Sequence, residues 1–249
     1  MRGPSHTLRV ALADVPWPLP KRPATRDERQ LAEIVRELDV VRARPGDIVV
    51  RRGVLRIVFR EVEPHQAAVL FRRGRLDEAP VPLGDIRAAL DDGTVRQAVR
   101  VTNLAAVDGL RASRLPQSVR DTLAATAARR DYAQLVPEDL DAAMPSPPAR
   151  IFRAARDGVH GLPSTPVRIG VEGDPALAYG ASLLAASWRD LDLDVHVVRH
   201  GANATLVRGS ADGAIPIARA VDARFVSPRV GGWRENARGI VDYARVAVR

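Results

Sequence analysis

His196 and His200 stand four residues apart, a spacing that on a helix would aim two imidazoles at one metal ion. They fall where a strand runs into a loop, so the spacing does not place them on one face. No third ligand accompanies them, and surface histidines are expected. Asp190, Asp192 and Asp194 alternate like half of a calcium loop, but the central glycine and terminal glutamate are missing. An exposed strand edge with Leu191 and Leu193 turned inward is the expectation there. Ser182 and Ser187 lie on a helical face without a neighbouring base. Asn203-Ala204-Thr205 matches a glycosylation acceptor, a pattern short enough to arise often by chance. There is no GxGxxG, no phosphate loop and no GxSxG, and the carboxylates single out no acid–base pair. No catalytic residue, no cofactor and no metal site is expected, so the protein reads as a non-enzyme.

What recurs is Gly-x-x-Asp. GRLD (74–77) and GSAD (209–212) each sit between regular elements and run into an extended segment. Turn chemistry accounts for both: glycine supplies a positive φ and aspartate closes the turn. The second example opens the stretch GSADGAIPIARAVDARFVSPRVGGW, apolar and β-like, which looks built for shape rather than reactivity.

The elements around these residues follow from periodicity. TLRVAL (7–12) alternates as a short strand, and Thr25 caps a helix through about Leu38 with Leu31, Ile34, Val35 and Leu38 on one stripe. VLRIVFREVE (54–63) is a strand, a helix starts at Pro64 and stops at Gly74, and RLDEAPVPL returns to extended structure. VRQAVRV (95–101) reads as a further strand. LPQSVRDTLAATAARRDYAQLV reads as one helix after Pro116, and PEDLDAAMPSPPAR as a loop. PVRIGV (166–171), a helix capped by Asp174 with Pro175 first, and LDVHVV (193–198) make a second strand–helix–strand unit.

The 249 residues suffice for one large domain or two compact lobes, with no apolar run long enough to span a bilayer. Cysteine is absent, which excludes disulfides, thiolate metal sites and a lipid-anchor Cys within the chain. The net charge of +8 raises nucleic acid as a partner. Arginines are spread along the chain and mixed with acids, aromatics are only 4%, and Lys21 is the single lysine. A solvated mixed-charge surface fits better than a nucleic-acid interface. The start, MRGPSHTLRV, lacks the apolar region of a secretory signal. The chain is then either a mature form or a protein that stays in the cytoplasm.

IPIARAVDARFVSPRVGGW with GIVDYARVAVR closely resembles the closing segment of family-5 extracellular solute-binding proteins, the peptide, dipeptide and nickel receptors of ABC importers. VLRIVFREVEPHQAAVLFRRGRLDEAPV resembles that family's strand–helix–Gly-x-x-Asp module, and LPQSVRDTLAATAARRDY its central helix. PVRIGVEGDPALAYGASLLAASWRDLDLDVHVV resembles its second strand–helix–strand unit, and TLRVAL fits its first strand. The motifs occur in the family's order across most of the chain. Members are usually far longer: a subdomain is missing where DVVRARPGDIVV passes to RRGVLRIVF, and a block with the family's peptide-terminus segment is missing between Asp212 and Ala214.

The resemblance implies a reduced, two-lobed type II periplasmic-binding-protein-like α/β fold, with mixed sheets flanked by helices. Lobe one would comprise residues 1–112 and 223–249, lobe two residues 113–222, with the crossings as hinge. It implies a small solute or peptide as ligand, an ABC permease as partner, a monomer, and an extracytoplasmic location. Trp17 and Trp233 are the candidate ligand-lining aromatics, with packing against proline-rich backbone as the alternative for both. The alternatives for function are a reduced homologue that has lost import and serves as a binding or scaffold module, and a basic nucleic-acid-binding protein.

Overall fold

A computed structural model describes residues 6–23, 25–136, 142–172, 177–208 and 213–249. The expected cap at Asp174 and Pro175 and the GSAD turn lie outside them. The described chain forms two compact units, residues 1–102 with 222–249 and residues 103–221.

In the first unit the strands β1 (Thr7–Leu12), β2 (Asp39–Arg44), β3 (Asp47–Arg52), β4 (Leu55–Glu61) and β5 (Glu78–Pro80) join the end of a long strand β10 (Ile215–Val226). Their order is β2-β3-β4-β1-β5-β10. β1 runs parallel to β4 and β5, while β2–β3, β3–β4 and β5–β10 are antiparallel. Helix α1 (Arg26–Glu37) starts where expected: the Thr25 hydroxyl accepts from the Glu28 amide, and the Glu28 carboxylate accepts from the Thr25 amide. Its apolar stripe, Leu31 and Ile34, packs on Leu8, Val10 and Leu12 of β1, Ile57 and Phe59 of β4, and Val241, Tyr243 and Val246 near the C-terminus.

Helix α2 (Pro64–Arg72) begins at Pro64 and ends at Gly74, whose φ of +66° is the left-handed geometry of a helix stop. It covers the opposite face. Phe225 of β10 stacks on Phe71 of α2 with ring centroids 5.1 Å apart, and Arg72 lies over the Phe225 ring. Successive strand residues face opposite sides, so Arg224 points away from α2.

The hairpin β2–β3 falls in DVVRARPGDIVV, to which no element is assigned from the sequence. Gly46, at φ +78°, makes the turn, and Asp47 accepts from Arg42 at 2.8 Å and Arg44 at 3.1 Å. Asp77 of the GRLD turn differs from expectation. Rather than closing its own turn, it accepts from the Arg9 amide and takes a two-point grip from Arg229, at 2.7 and 2.9 Å.

In the second unit β6 (Val99–Arg111), β7 (Val167–Glu172), β8 (Val195–Val197) and β9 (Ala204–Arg208) continue from the start of β10 in the order β10-β6-β9-β7-β8. β7 is parallel to β8 and β9, and β6 is antiparallel to β9. The strand expected near Val95 starts only at Val99 but runs on for 13 residues. The expected single helix is two, α3 (Gln117–Thr126) and α4 (Arg129–Ala133), because Ala127 turns extended and Arg129 reaches to the Pro216 carbonyl. Part of the expected loop is helix α5 (Ala149–Asp157), which follows Pro148 and packs on α3.

Helix α6 (Ala178–Arg189) leads into β8 through Leu191–Asp194. Asp192 there has φ +62°, a turn conformation that aspartate tolerates, so the alternating aspartates lie in a helix stop and not along a strand edge. Tyr132 of α4 packs against α6 at Gly180, where a Cβ would come within 2.4 Å of the ring. The Tyr132 hydroxyl donates to the buried Asp108, which also pairs with Arg208 at 3.0 Å.

Three substitutions check this packing. Phe225→Ala should cost about 3–5 kcal/mol, since the ring is fully buried and leaves a cavity, whereas Val54→Ala at an exposed turn should cost under about 0.5 kcal/mol. Gly180→Ala should cost about 1–3 kcal/mol by overpacking Tyr132. Urea unfolding of the three variants measures all of these; an unchanged midpoint for Phe225→Ala would place β10 outside the core.

Candidate functional site

The serine hydroxyls and the His196 imidazole are engaged locally. Ser182 Oγ donates to the Ala178 carbonyl and Ser187 Oγ to the Leu184 carbonyl, each within its own helix. His196 is exposed and meets Asp194 at 2.7 Å. Asn203 accepts from the Arg168 amide at 2.7 Å and donates to the Pro166 carbonyl at 2.8 Å, so its side chain ties a loop to β7. Among the described residues no group of three or more His, Cys, Asp or Glu could hold a metal ion.

The charge-bearing site that does form lies in the first unit, at the carboxyl end of the strand β1 and beside the start of its parallel neighbour β5. Ligands of open α/β sheets gather at such ends. After β1 the chain turns, and Asp27 at the start of α1 accepts from the Ala13 amide at 2.7 Å and the Asp14 amide at 3.2 Å. The same carboxylate meets Arg26 at 2.9 Å. Arg26 extends to Glu235 at 2.8 Å and Asp222 at 3.6 Å. Arg224, one strand position pair from Asp222 and on the same face, lies 3.5 Å from Asp222 and 3.4 Å from Glu78. Two guanidinium groups thus face four carboxylates, all with side chains nearly closed to solvent.

Glu78 carries the largest consequence. Its Oε2 accepts from Tyr243 at 2.8 Å and from the Trp233 indole at 3.0 Å. Burial nevertheless pushes its carboxyl up to about 7; hydrogen bonds from Tyr243 and Trp233 and the charge of Arg26 oppose that rise, and Glu235 adds to it. Burial alone would weaken the charge on Arg26, but Asp222, Glu235 and Asp27 together hold its guanidinium above the ordinary range. Burial, then the Glu78 charge, raises the Tyr243 hydroxyl well above its usual value.

Beside this cluster a groove of about 450 Å³ runs between α1 and residues 234–245, walled by Glu33, Ile34, Glu37, Ile240 and Asp242.

Both candidate tryptophans belong to this unit. Trp17 and Trp233 are half-buried and pack on the core formed by α1, β1 and β4, and Trp233 is tied to Glu78. Sequence reasoning missed Glu78, Arg26, Asp222, Arg224, Glu235 and Tyr243. One signal for them is visible in AVDARFV: a charged pair two apart inside an apolar strand must share a buried face.

No family model matches the sequence, and no curated protein matches it. Solved structures do. OppA of Haemophilus influenzae in complex with RPPGFSPFR superposes with a TM-score of 0.68 at 12% identity, over 85% of this chain and 64% of that one. The murein tripeptide binding protein MppA of Escherichia coli gives 0.67 at 11% identity, over 84% and 63%. NikZ of Campylobacter jejuni in complex with Ni(L-His) gives 0.63 at 11%, over 84% and 67%. The chain spans just under two thirds of the length of the two peptide-binding structures. At these identities the likeness is one of fold: a mixed α/β, periplasmic-binding-protein-like architecture, as the resemblance implied.

Removing a cation from the buried cluster should be costly. Arg26→Leu leaves Glu235, Asp222 and Asp27 short of a positive partner and should lower stability by about 3–5 kcal/mol. Arg36→Leu breaks only exposed pairs to Glu33 and Glu37 and should change it by less than about 1 kcal/mol. Denaturant titration of both variants makes the comparison.

Proposed function

We propose that this chain is a solute-binding protein that captures a peptide outside the cytoplasm and delivers it to an ABC permease, as a monomer and without catalysis. The observation that carries the reading is the fold match across 84–85% of the chain to one structure in complex with a peptide, one in complex with Ni(L-His) and one of a murein tripeptide binding protein. The division into two compact units, traversed by β6 and β10, supports lobes near the expected bounds of 1–112 with 223–249, and 113–222. Closure about such crossings sequesters a ligand by hinge motion. Trp17 and Trp233 are assigned as aromatic walls for the peptide, their half-burial leaving ring surface to offer.

One observation favours a second reading. The chain spans 64% of the oligopeptide-binding structure it resembles, which fits a reduced relative that binds or scaffolds without serving import.

Thermal melts and calorimetry with RPPGFSPFR, a murein tripeptide and the nickel–histidine complex separate the two. A peptide at a hundred times its dissociation constant should stabilise the protein by about 2.7 kcal/mol. Trp17→Ala should then weaken that peptide roughly tenfold, the equivalent of about 1.4 kcal/mol. If none of the three probes shifts the melt or releases heat, the reduced reading replaces the first.

A further inference from the structure

The geometry points to Glu78 as a proton-operated latch that fastens the C-terminal strap, residues 230–249, onto the first unit and loosens it as pH rises. The latch does not rest on the solute-binding reading and works without a ligand.

The strap has little regular structure of its own. The two-residue strands β11 (Val230–Gly231) and β12 (Ala247–Val248) pair at its ends, and a single bridge joins Glu235 to Val241 between them. A segment so poor in backbone ladders opens locally at lower cost than a sheet. Side chains of the unit hold it. Gln30 donates to the Val241 carbonyl at 3.0 Å and accepts from its amide at 2.6 Å. Arg52 donates to the Tyr243 and Val246 carbonyls. Arg26 pairs with Glu235, and Tyr243 packs edge-on against Phe59. Two strap side chains, Trp233 and Tyr243, converge on one oxygen of Glu78.

Every element packed on that carboxyl contributes to its charge environment. β10 supplies Asp222 and Arg224, α1 supplies Arg26 and Asp27, and the strap supplies Glu235 and the Tyr243 hydroxyl. The charged groups of α2 lie across the sheet, where Arg72 covers Phe225 and His65 meets Asp85. With Glu78 neutral, three carboxylates stand against two guanidinium groups. With Glu78 ionised there are four, and the extra charge must share Arg224 with Asp222 and Asp27.

The sign follows from the position of the proton. Closed, the carboxyl titrates near 7; released to water, it returns toward 4.5. Between those values the closed strap binds the proton that the open strap gives up. Closure is therefore favoured fully below about 4.5, and the advantage is lost as pH rises through 7. From pH 5 to pH 8 the opening constant should rise roughly seventyfold.

Hydrogen exchange of the intact chain, corrected for the intrinsic pH dependence of amide chemistry, tests this at the Ile240 and Val241 amides. Their protection should fall by about that factor from pH 5 to pH 8 in the wild type and stay level in Glu78→Gln. Tyr243→Phe keeps the buried ring but removes a bond that favours the ionised form, so it should move the midpoint to higher pH. This second variant serves where Glu78→Gln does not fold. Protection that is independent of pH in the wild type, an unaltered dependence in Glu78→Gln, or an unmoved midpoint in Tyr243→Phe would overturn the latch.

Discussion

The first unit depends on one constraint: two guanidinium groups, Arg26 and Arg224, are closed off from water together with four carboxylates. Taking such charges out of water is expensive, and mutual attraction offsets the cost only when the groups are held in register. That requirement ties together parts of the chain far apart in sequence. Arg26 begins α1, Asp222 and Arg224 sit on β10, Glu78 opens β5, and Glu235 belongs to the strap. Without the return of β10 and the strap, Arg26 would lose Asp222 and Glu235, and the start of α1 would hold a buried cation with Asp27 alone from the cluster.

The same region explains the character of the closing stretch. Its strand alternates between two environments, Phe225 against the aromatic ring of Phe71 and Arg224 against the carboxylates. After the strand, Gly232 has φ +72°, and a Cβ there would strike the Arg245 carbonyl at 2.4 Å. Glycine is thus required for the strap to fold back on itself. Shape and charge are both served by this stretch, and neither involves a reactive group.

The second unit is organised differently. Among the described residues its buried polar contacts include Asp108 with Arg208 and the Tyr132 hydroxyl, and Arg129 reaching the Pro216 carbonyl. Gly180 makes the Tyr132 contact possible by letting the ring lie against α6. The fold match to OppA and MppA covers 84–85% of this chain and 63–64% of those chains.

Local pattern alone determined the elements whose signals are self-contained. The alternation of TLRVAL, the cap at Thr25, Pro64 and Gly74 at the ends of α2, and the β7–α6–β8 unit were all legible, because period and capping act within one element. The full length of β6 and the helix break at Ala127 were not, since each depends on a partner elsewhere, a neighbouring strand and Pro216 for Arg129; the β2–β3 hairpin was missed although its turn and its Asp47 pairs to Arg42 and Arg44 are local. Of the buried cluster and its partners, only Trp233 was singled out from the sequence. Tertiary structure decided that Glu78, Arg26, Arg224, Asp222 and Glu235 would meet, because burial and charge pairing are properties of the assembled unit, and the spacing of Asp222 and Arg224 marks only that these two share a face.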